Sequence, residues 1–252
     1  MSIWGSPVYL GKTGAGGIIV SKTITENGVY DASLEGADGY SPVTVKIGAD
    51  RTLLANWDFT GADPLTDKVD GKILENYNSA VTFSAQGAYF AANVNVEQGL
   101  GQNQRLMISK ADLLGDGELY GCDIEVDVGS FYKTEWGSSN AVRFVMTNQS
   151  DGFCGQQAST VSSRGWSFYR GNWSEMHNPT LSFQNCTVKI SVATAYTYDT
   201  AYIDGLEFVS NSRASLASAM TWLALGNSAA TCIGGIYIKA MRVYRREVLA
   251  GT

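Results

Sequence analysis

Histidine, clustered cysteine, basic charge and long apolar runs are all scarce in this chain, and each scarcity removes a class of protein. His177 is the one histidine in 252 residues; with no second imidazole and no paired thiol, it reads as a loop residue in His-Asn-Pro and not as a metal or triad centre. The four cysteines, Cys122, Cys154, Cys186 and Cys232, form no C-x-x-C pair, which removes the zinc and thioredoxin-like readings. They are expected to be reduced thiols, with Cys122 and Cys186 in strand-like runs where cysteine serves as a small apolar residue. No run approaches the roughly 20 apolar residues of a membrane helix. The start, Met1-Ser-Ile-Trp-Gly-Ser-Pro7, is neither basic nor apolar, so the chain is expected to be made and kept in a cytoplasm, with no membrane partner. Lys plus Arg number 18 against 24 Asp plus Glu, a net charge of -6. A phosphate backbone would be repelled, and nucleic acid is excluded as a partner.

What is present is glycine, 28 residues of it, and short runs of alternating character. Cys122-Asp-Ile-Glu-Val-Asp-Val128 places Cys122, Ile124, Val126 and Val128 on one strand face and Asp123, Glu125 and Asp127 on the other, one face core and one wet. Val142, Phe144 and Met146 alternate in the same manner, as do Val188, Ile190 and Val192. Helical periodicity is confined to single turns at 110–114 and 214–219. Many short strands separated by Gly, Asn, Ser and Asp clusters predict an all-β, antiparallel jelly-roll sandwich. Residues 1–20, with Gly11, Gly14, Gly16 and Gly17, predict an extended glycine-rich arm that gains order from a partner. Residues 21–50 predict a small β-module and linker built on the Asn27-Gly28 turn and the strand Val43-Thr-Val-Lys-Ile47. The remainder, 51–252, is the sandwich, long enough for a full core.

Two resemblances sharpen this. Thr23-Ile-Thr-Glu-Asn-Gly-Val-Tyr30 with Gly39-Tyr-Ser-Pro-Val-Thr-Val-Lys-Ile47 resembles a short module of virion proteins, particularly minor tail proteins, of bacteriophages that infect Gram-positive bacteria. Leu53-Leu-Ala-Asn-Trp-Asp-Phe-Thr60 with Pro64-Leu-Thr-Asp67 and Asp70-Gly71 resembles the opening strand and first loop of laminin-G-like, concanavalin-A-like jelly rolls. A long central strand over 119–131, the hairpin element Tyr196-Thr-Tyr-Asp-Thr-Ala-Tyr-Ile-Asp-Gly205 and the closing strand Gly234-Gly-Ile-Tyr-Ile-Lys-Ala-Met-Arg-Val-Tyr244 follow in that family's order. The resemblance implies that the first and last strands pair. Together the two imply a non-enzymatic virion protein, decorating a capsid or mounted on a tail or fibre. It would be multimeric in the particle, held to other virion subunits through residues 1–50, and its sandwich would contact host surface carbohydrate if mounted on a tail or fibre, or cover the shell if it decorates the capsid.

Candidate chemistry is thinner. Gly5-Ser-Pro-Val-Tyr-Leu-Gly-Lys-Thr13 has one residue too many between its glycines for a phosphate-binding loop. Concanavalin-A-like β-glucanases place Glu-x-Asp-x-Glu on a strand; here Asp123-Ile-Glu-Val-Asp127 has the shorter Asp at both outer positions. Retaining hydrolysis needs carboxyls about 5 to 5.5 Å apart, so a glycan hydrolase is the alternative reading and no catalytic residue is assigned. Many members of the resembled families hold a structural calcium at loop carboxylates. Asp63, Asp67 and Asp70 share a loop, but their spacing defines no ligand set. The carbohydrate-binding residues expected are Trp136, Trp166, Tyr169 and Trp173, whose rings could cover the apolar face of a pyranose beside Arg164, Arg170 and Asn172. Phe168, in the same run, is expected in the core.

Overall fold

The computed structural model describes residues 8–10, 20–22, 28–30, 43–45, 51–90, 104–131, 141–148, 151–156, 165–169, 184–193, 199–210, 215–226 and 235–246. In chain order the strands begin with β1 (Val8–Leu10), β2 (Val20–Lys22), β3 (Gly28–Tyr30), β4 (Val43–Val45), β5 (Arg51–Asp58), β6 (Glu75–Asn76), β7 (Thr82–Ser84), β8 (Gly87–Phe90) and β9 (Arg105–Ser109). They continue with β10 (Cys122–Phe131), β11 (Ala141–Met146), β12 (Gly152–Gln156), β13 (Gly165–Tyr169), β14 (Gln184–Ser191), β15 (Thr200–Ile203), β16 (Leu206–Ser210), β17 (Trp222–Gly226) and β18 (Ile236–Arg246). One short helix, α1 (Lys110–Leu114), sits where its turn was expected, and its N-cap Ser109 accepts from the Asp112 N–H. Among the described residues no helix is long and apolar enough to cross a membrane.

The chain divides into two units, Met1–Arg51 with Arg246–Thr252, and Thr52–Arg245. In the first, β1 pairs antiparallel with β2, so part of the segment read as an arm is extended strand laddered to its own chain. There too β3 pairs with β4, Gly28 opposite Val45. Gly28 therefore opens a strand and is not the turn joining β3 to β4. The β-branched Val29, Val43, Thr44 and Val45 carry the pairing.

The second unit is the antiparallel jelly-roll sandwich expected from the sequence. Sheet I runs β16-β15-β14-β10-β18-β8-β7, with β5 also on β18, and sheet II runs β13-β12-β11-β17-β9-β6. The pairing of β5 with β18 joins the first and last strands of the sandwich, as the family resemblance implied. Every second residue of the central strands turns inward: Ile124, Val126 and Val128 on β10, Val188 and Ile190 on β14, Leu106 and Ile108 on β9, Leu223 and Leu225 on β17. With Trp57, Phe90, Phe144, Phe153, Trp166 and Phe168 they form one core cluster. Burial of this many aliphatic and aromatic side chains, each contributing about 1.5–3 kcal/mol, is the main stabilising term.

Strand β18 breaks strict alternation: Ile236 and Ile238 are buried, and then Met241 and Val243. Its register with β10 shifts beside Asp127 and Val128, a bulge whose extra residue resets the parity so that both halves of an eleven-residue strand keep apolar side chains inward. The bulge brings the Ile238 carbonyl against Gly87, where a Cβ would lie 2.2 Å from that oxygen and φ is +110°. Only glycine fits there.

One buried carboxylate ties the two sheets together. Asp199, fully buried, accepts from the Ala193 N–H at 2.9 Å, the Ser215 hydroxyl at 2.8 Å and the Leu216 N–H at 2.7 Å. Thr147, just past β11, donates from its hydroxyl to the Leu216 carbonyl at 3.2 Å. The segment leaving sheet I is thus clamped to the end of a sheet II strand.

Candidate functional site

The side of sheet I turned away from the core carries an ordered polar and aromatic array. Strand register sets its rungs. Thr200, Ser191, Asp123 and Tyr244 lie in one line across β15, β14, β10 and β18, and Tyr202, Lys189, Glu125 and Arg242 in the next. Thr187, Asp127 and Ala240 make a third. Beyond the bulge Ser130, Tyr237 and Tyr89 continue the surface, the two tyrosines stacked with ring centroids 4.6 Å apart. Strands about 4.8 Å apart place such side chains in lateral contact.

The three carboxylates of β10 are held by that array. Arg242 grips Asp127 in a two-pronged pair, both N–H···O distances 2.7 Å, and its Nε lies 3.5 Å from a Glu125 oxygen. The Thr187 hydroxyl donates to Asp127 at 2.9 Å and the Ser191 hydroxyl to Asp123 at 2.7 Å. Burial by itself would raise the pKa of Asp127. The hydrogen bonds from Arg242 and then Thr187 outweigh it and hold the carboxyl below its usual range, while the same pair raises that of Arg242. Next along the rung, the Lys189 ammonium sits 4.1 Å from the centre of the Tyr202 ring. The expectation of a solvated acidic face is corrected for Asp123, which is 3% exposed: it shares its rung with Tyr244 and Ser191 and is hydrogen-bonded, not hydrated. A general acid needs a carboxyl kept protonated near neutral pH; Asp127 is displaced in the opposite direction.

Sequence reasoning missed Arg242, Lys189 and Tyr202 as members of this site. The signal was available in the closing strand, where Tyr237, Arg242 and Tyr244 interrupt the apolar positions of a β-rich run. What could not be read was which of them would face Asp127, because the bulge changes the parity.

In the loop of Asp58 to Asp70 most of the carboxylates are turned to donors of the protein itself. Asp67 is buried and accepts from the backbone N–H groups of Asn56 and Asp70. Asp58 accepts from Lys68 Nζ at 2.6 Å and the Thr60 hydroxyl at 2.6 Å, and the Lys68 hydrogen bond above all brings its pKa down to about 2. Asp70 pairs with Lys72, and Asp63 is exposed. The carboxylates of Asp58, Asp67 and Asp70 meet N–H, O–H and ammonium donors, the reverse of a hard-cation shell. Among the described residues no group of three or more His, Cys, Asp or Glu side chains is placed to hold a metal.

Of the four residues expected to bind carbohydrate, Trp166 is corrected. It is wholly buried, stacked on Phe153 at 5.5 Å and edge-on to Phe144 at 6.0 Å, because its strand position points between the sheets. Its ring faces core neighbours and cannot cover a sugar. Phe168 is buried beside it, as expected. Tyr169 ends β13, opposite Gly152; its side chain, together with Trp136 and Trp173, lies outside the described residues. Cys122 and Cys186 form no disulfide, and burial, then the Asp204 charge, pushes the Cys186 thiol up to about 11, which makes it a poor nucleophile at neutral pH. Cys232 and the Cys154 side chain lie outside the described residues.

No protein-family model and no curated protein matches this sequence. Solved structures do match in fold. The Trypanosoma rangeli sialidase in complex with sialic acid aligns with TM-score 0.50 at 13% identity, covering 78% of this chain and 31% of the sialidase. Domain 4 of a GH43 extracellular arabinanase from Geobacillus stearothermophilus, in complex with arabinotriose, aligns with TM-score 0.46 at 15% identity, covering 79% of this chain and 95% of the domain. The apo Crh5 transglycosylase aligns with TM-score 0.41 at 13% identity over 78% of this chain and 88% of its own. This chain therefore spans under a third of the sialidase, and at such identities the sialidase likeness speaks for the all-β fold and nothing further.

Proposed function

We propose that this chain is a non-enzymatic structural protein of a bacteriophage particle, synthesised in the host cytoplasm, multimeric in the virion and attached to other virion subunits through residues 1–50. Its sandwich contacts host surface carbohydrate without cleaving it. The observation that carries the non-enzymatic part is the Asp127–Arg242 clamp: the carboxylates of the strand that would bear catalysis in a glucanase are bound to their sheet neighbours. The virion part rests on the sequence resemblance over residues 21–48. Contact with glycan is assigned to Trp136, Tyr169 and Trp173, rings in Gly-, Ser- and Asn-rich stretches where binding sites are commonly built.

Trp173→Ala tests the reading. Loss of one stacking ring is expected to weaken glycan binding by about 1–3 kcal/mol, with the melting temperature of the sandwich unchanged. A glycan array and a host-adsorption assay on particles carrying the variant are the measurements. Reduced signal in both supports the receptor-contacting reading. Lower copy number on the particle with normal adsorption assigns the tryptophan to a subunit interface and the protein to capsid decoration.

A further inference from the structure

On sheet II, away from the array described above, Arg105 lies across Met107, its Nε 3.1 Å from the Met107 sulfur. The guanidinium carbon sits 3.7 Å from the centre of the Tyr77 ring and 5.7 Å from that of Trp222. Arg105, Tyr77, Met107 and Trp222 are each partly exposed. The two terminal nitrogens of Arg105 make no hydrogen bond and no ion pair with any described residue. Glu75 is the carboxylate nearest in register, opposite Met107, and it is exposed and does not pair with Arg105. A planar cation held by two rings, with no partner on its donor edge among the described residues, has the form of a receptor for a planar bidentate anion.

The backbone that presents Tyr77 is unusual. Asn78 and Ser79 follow it with φ of 55° and 51°, two successive non-glycine residues in the left-handed region. Asn tolerates that region, but Ser gains nothing from it. Asn76 holds the turn closed by donating its amide to the Val81 carbonyl at 2.7 Å and accepting from the Val81 N–H at 3.0 Å. Strain maintained by a dedicated clamp marks ligand-holding segments more than ordinary turns, and the side chain it positions is the ring stacked on Arg105.

We propose that Tyr77, Arg105 and Trp222 form a binding site for a carboxylate-bearing saccharide, with the guanidinium taking the carboxylate and the Trp222 ring lining the sugar. A single guanidinium suits a planar carboxylate better than a phosphate, which calls for further donors. The lysines nearest in sequence are engaged elsewhere, Lys72 with Asp70 and Lys110 with Glu118. The net charge of -6 disfavours extended polyanions. These residues are other than Trp136, Tyr169 and Trp173, so this site and the loop-aromatic reading can fail independently.

The test is a titration of the full chain, followed by tryptophan fluorescence or NMR, with methyl glucuronide, methyl glucoside and acetate as probes. Glucuronide is expected to bind with at least roughly tenfold lower Kd than glucoside, since the carboxylate adds a charge-assisted pair, and acetate is expected to bind more weakly than glucuronide. R105K, which keeps the charge but loses the planar fork, should lose roughly tenfold for glucuronide and leave glucoside unchanged. Equal binding of glucuronide and glucoside, or binding of neither, overturns the proposal, and this comparison needs no variant. Acetate binding as tightly as glucuronide reduces the site to a simple anion site and overturns the saccharide assignment.

Discussion

Replacing Asp199 with alanine is expected to destabilise the sandwich by about 3–5 kcal/mol, because two backbone N–H groups and one hydroxyl lose their acceptor inside the protein. For a unit of this size that is a fall in Tm of roughly 10 °C. The loss exceeds that of an ordinary surface carboxylate because Asp199 is fully buried and water cannot replace it. Asp199→Asn should cost less, about 1–3 kcal/mol, since the amide oxygen still accepts from Ala193 and Ser215 while its NH₂ opposes the Leu216 N–H. Thermal melts of the two variants check the order. A Tm for the alanine variant within 2–3 °C of the parent, equivalent to about 1 kcal/mol, would show that the clamp between the sheets contributes little.

Arg242→Met is the second large effect, expected at about 2 kcal/mol. The side chains of Arg242 and Asp127 are 24% and 29% exposed, so the 3–5 kcal/mol typical of a fully buried pair is discounted for residual solvent screening. The sign with pH follows from Asp127. Its folded-state pKa lies below the ordinary carboxylate value, so the pair's contribution is fully present above about pH 4 and is lost as pH falls through the folded value. In urea melts, the gap between parent and variant should be constant from pH 7 to 5 and narrow steadily below pH 4. A gap that widened on acidification would mean that Asp127 is not the partner Arg242 serves.

The strand pattern was open to sequence reading where period two and burial agree. Ile124, Val126 and Val128 alternate with Asp123, Glu125 and Asp127, and β10 occupies that run. Asp204-Gly205 forms the β15–β16 hairpin, both residues at positive φ, because Asp and Gly tolerate the turn. Partnership across sheets was not legible. Asp199 lies in a run that reads as polar strand, and nothing local announces that Ser215 and Leu216 reach it, or that Thr147 in turn bonds Leu216. Trp166 was misplaced for a related reason: Trp, Ser, Phe and Tyr in succession give both strand faces an aromatic residue, and only the register of β13 on β12, with Phe153 opposite Phe168, fixes which face is the core. The Arg105 cluster escaped because its two rings and cation come from separate strands and a turn whose conformation Asn78 and Ser79 do not advertise.

Contact without cleavage is the central claim, and one assay measures both halves at once. The full chain is passed over immobilised host-surface glycans, and retained protein is quantified alongside newly released reducing ends. The expected result is retention that Trp173→Ala diminishes, with no reducing ends above the protein-free control. Steady release of reducing ends by the parent chain, abolished in Glu125→Gln, would contradict it and make the β10 carboxylates catalytic.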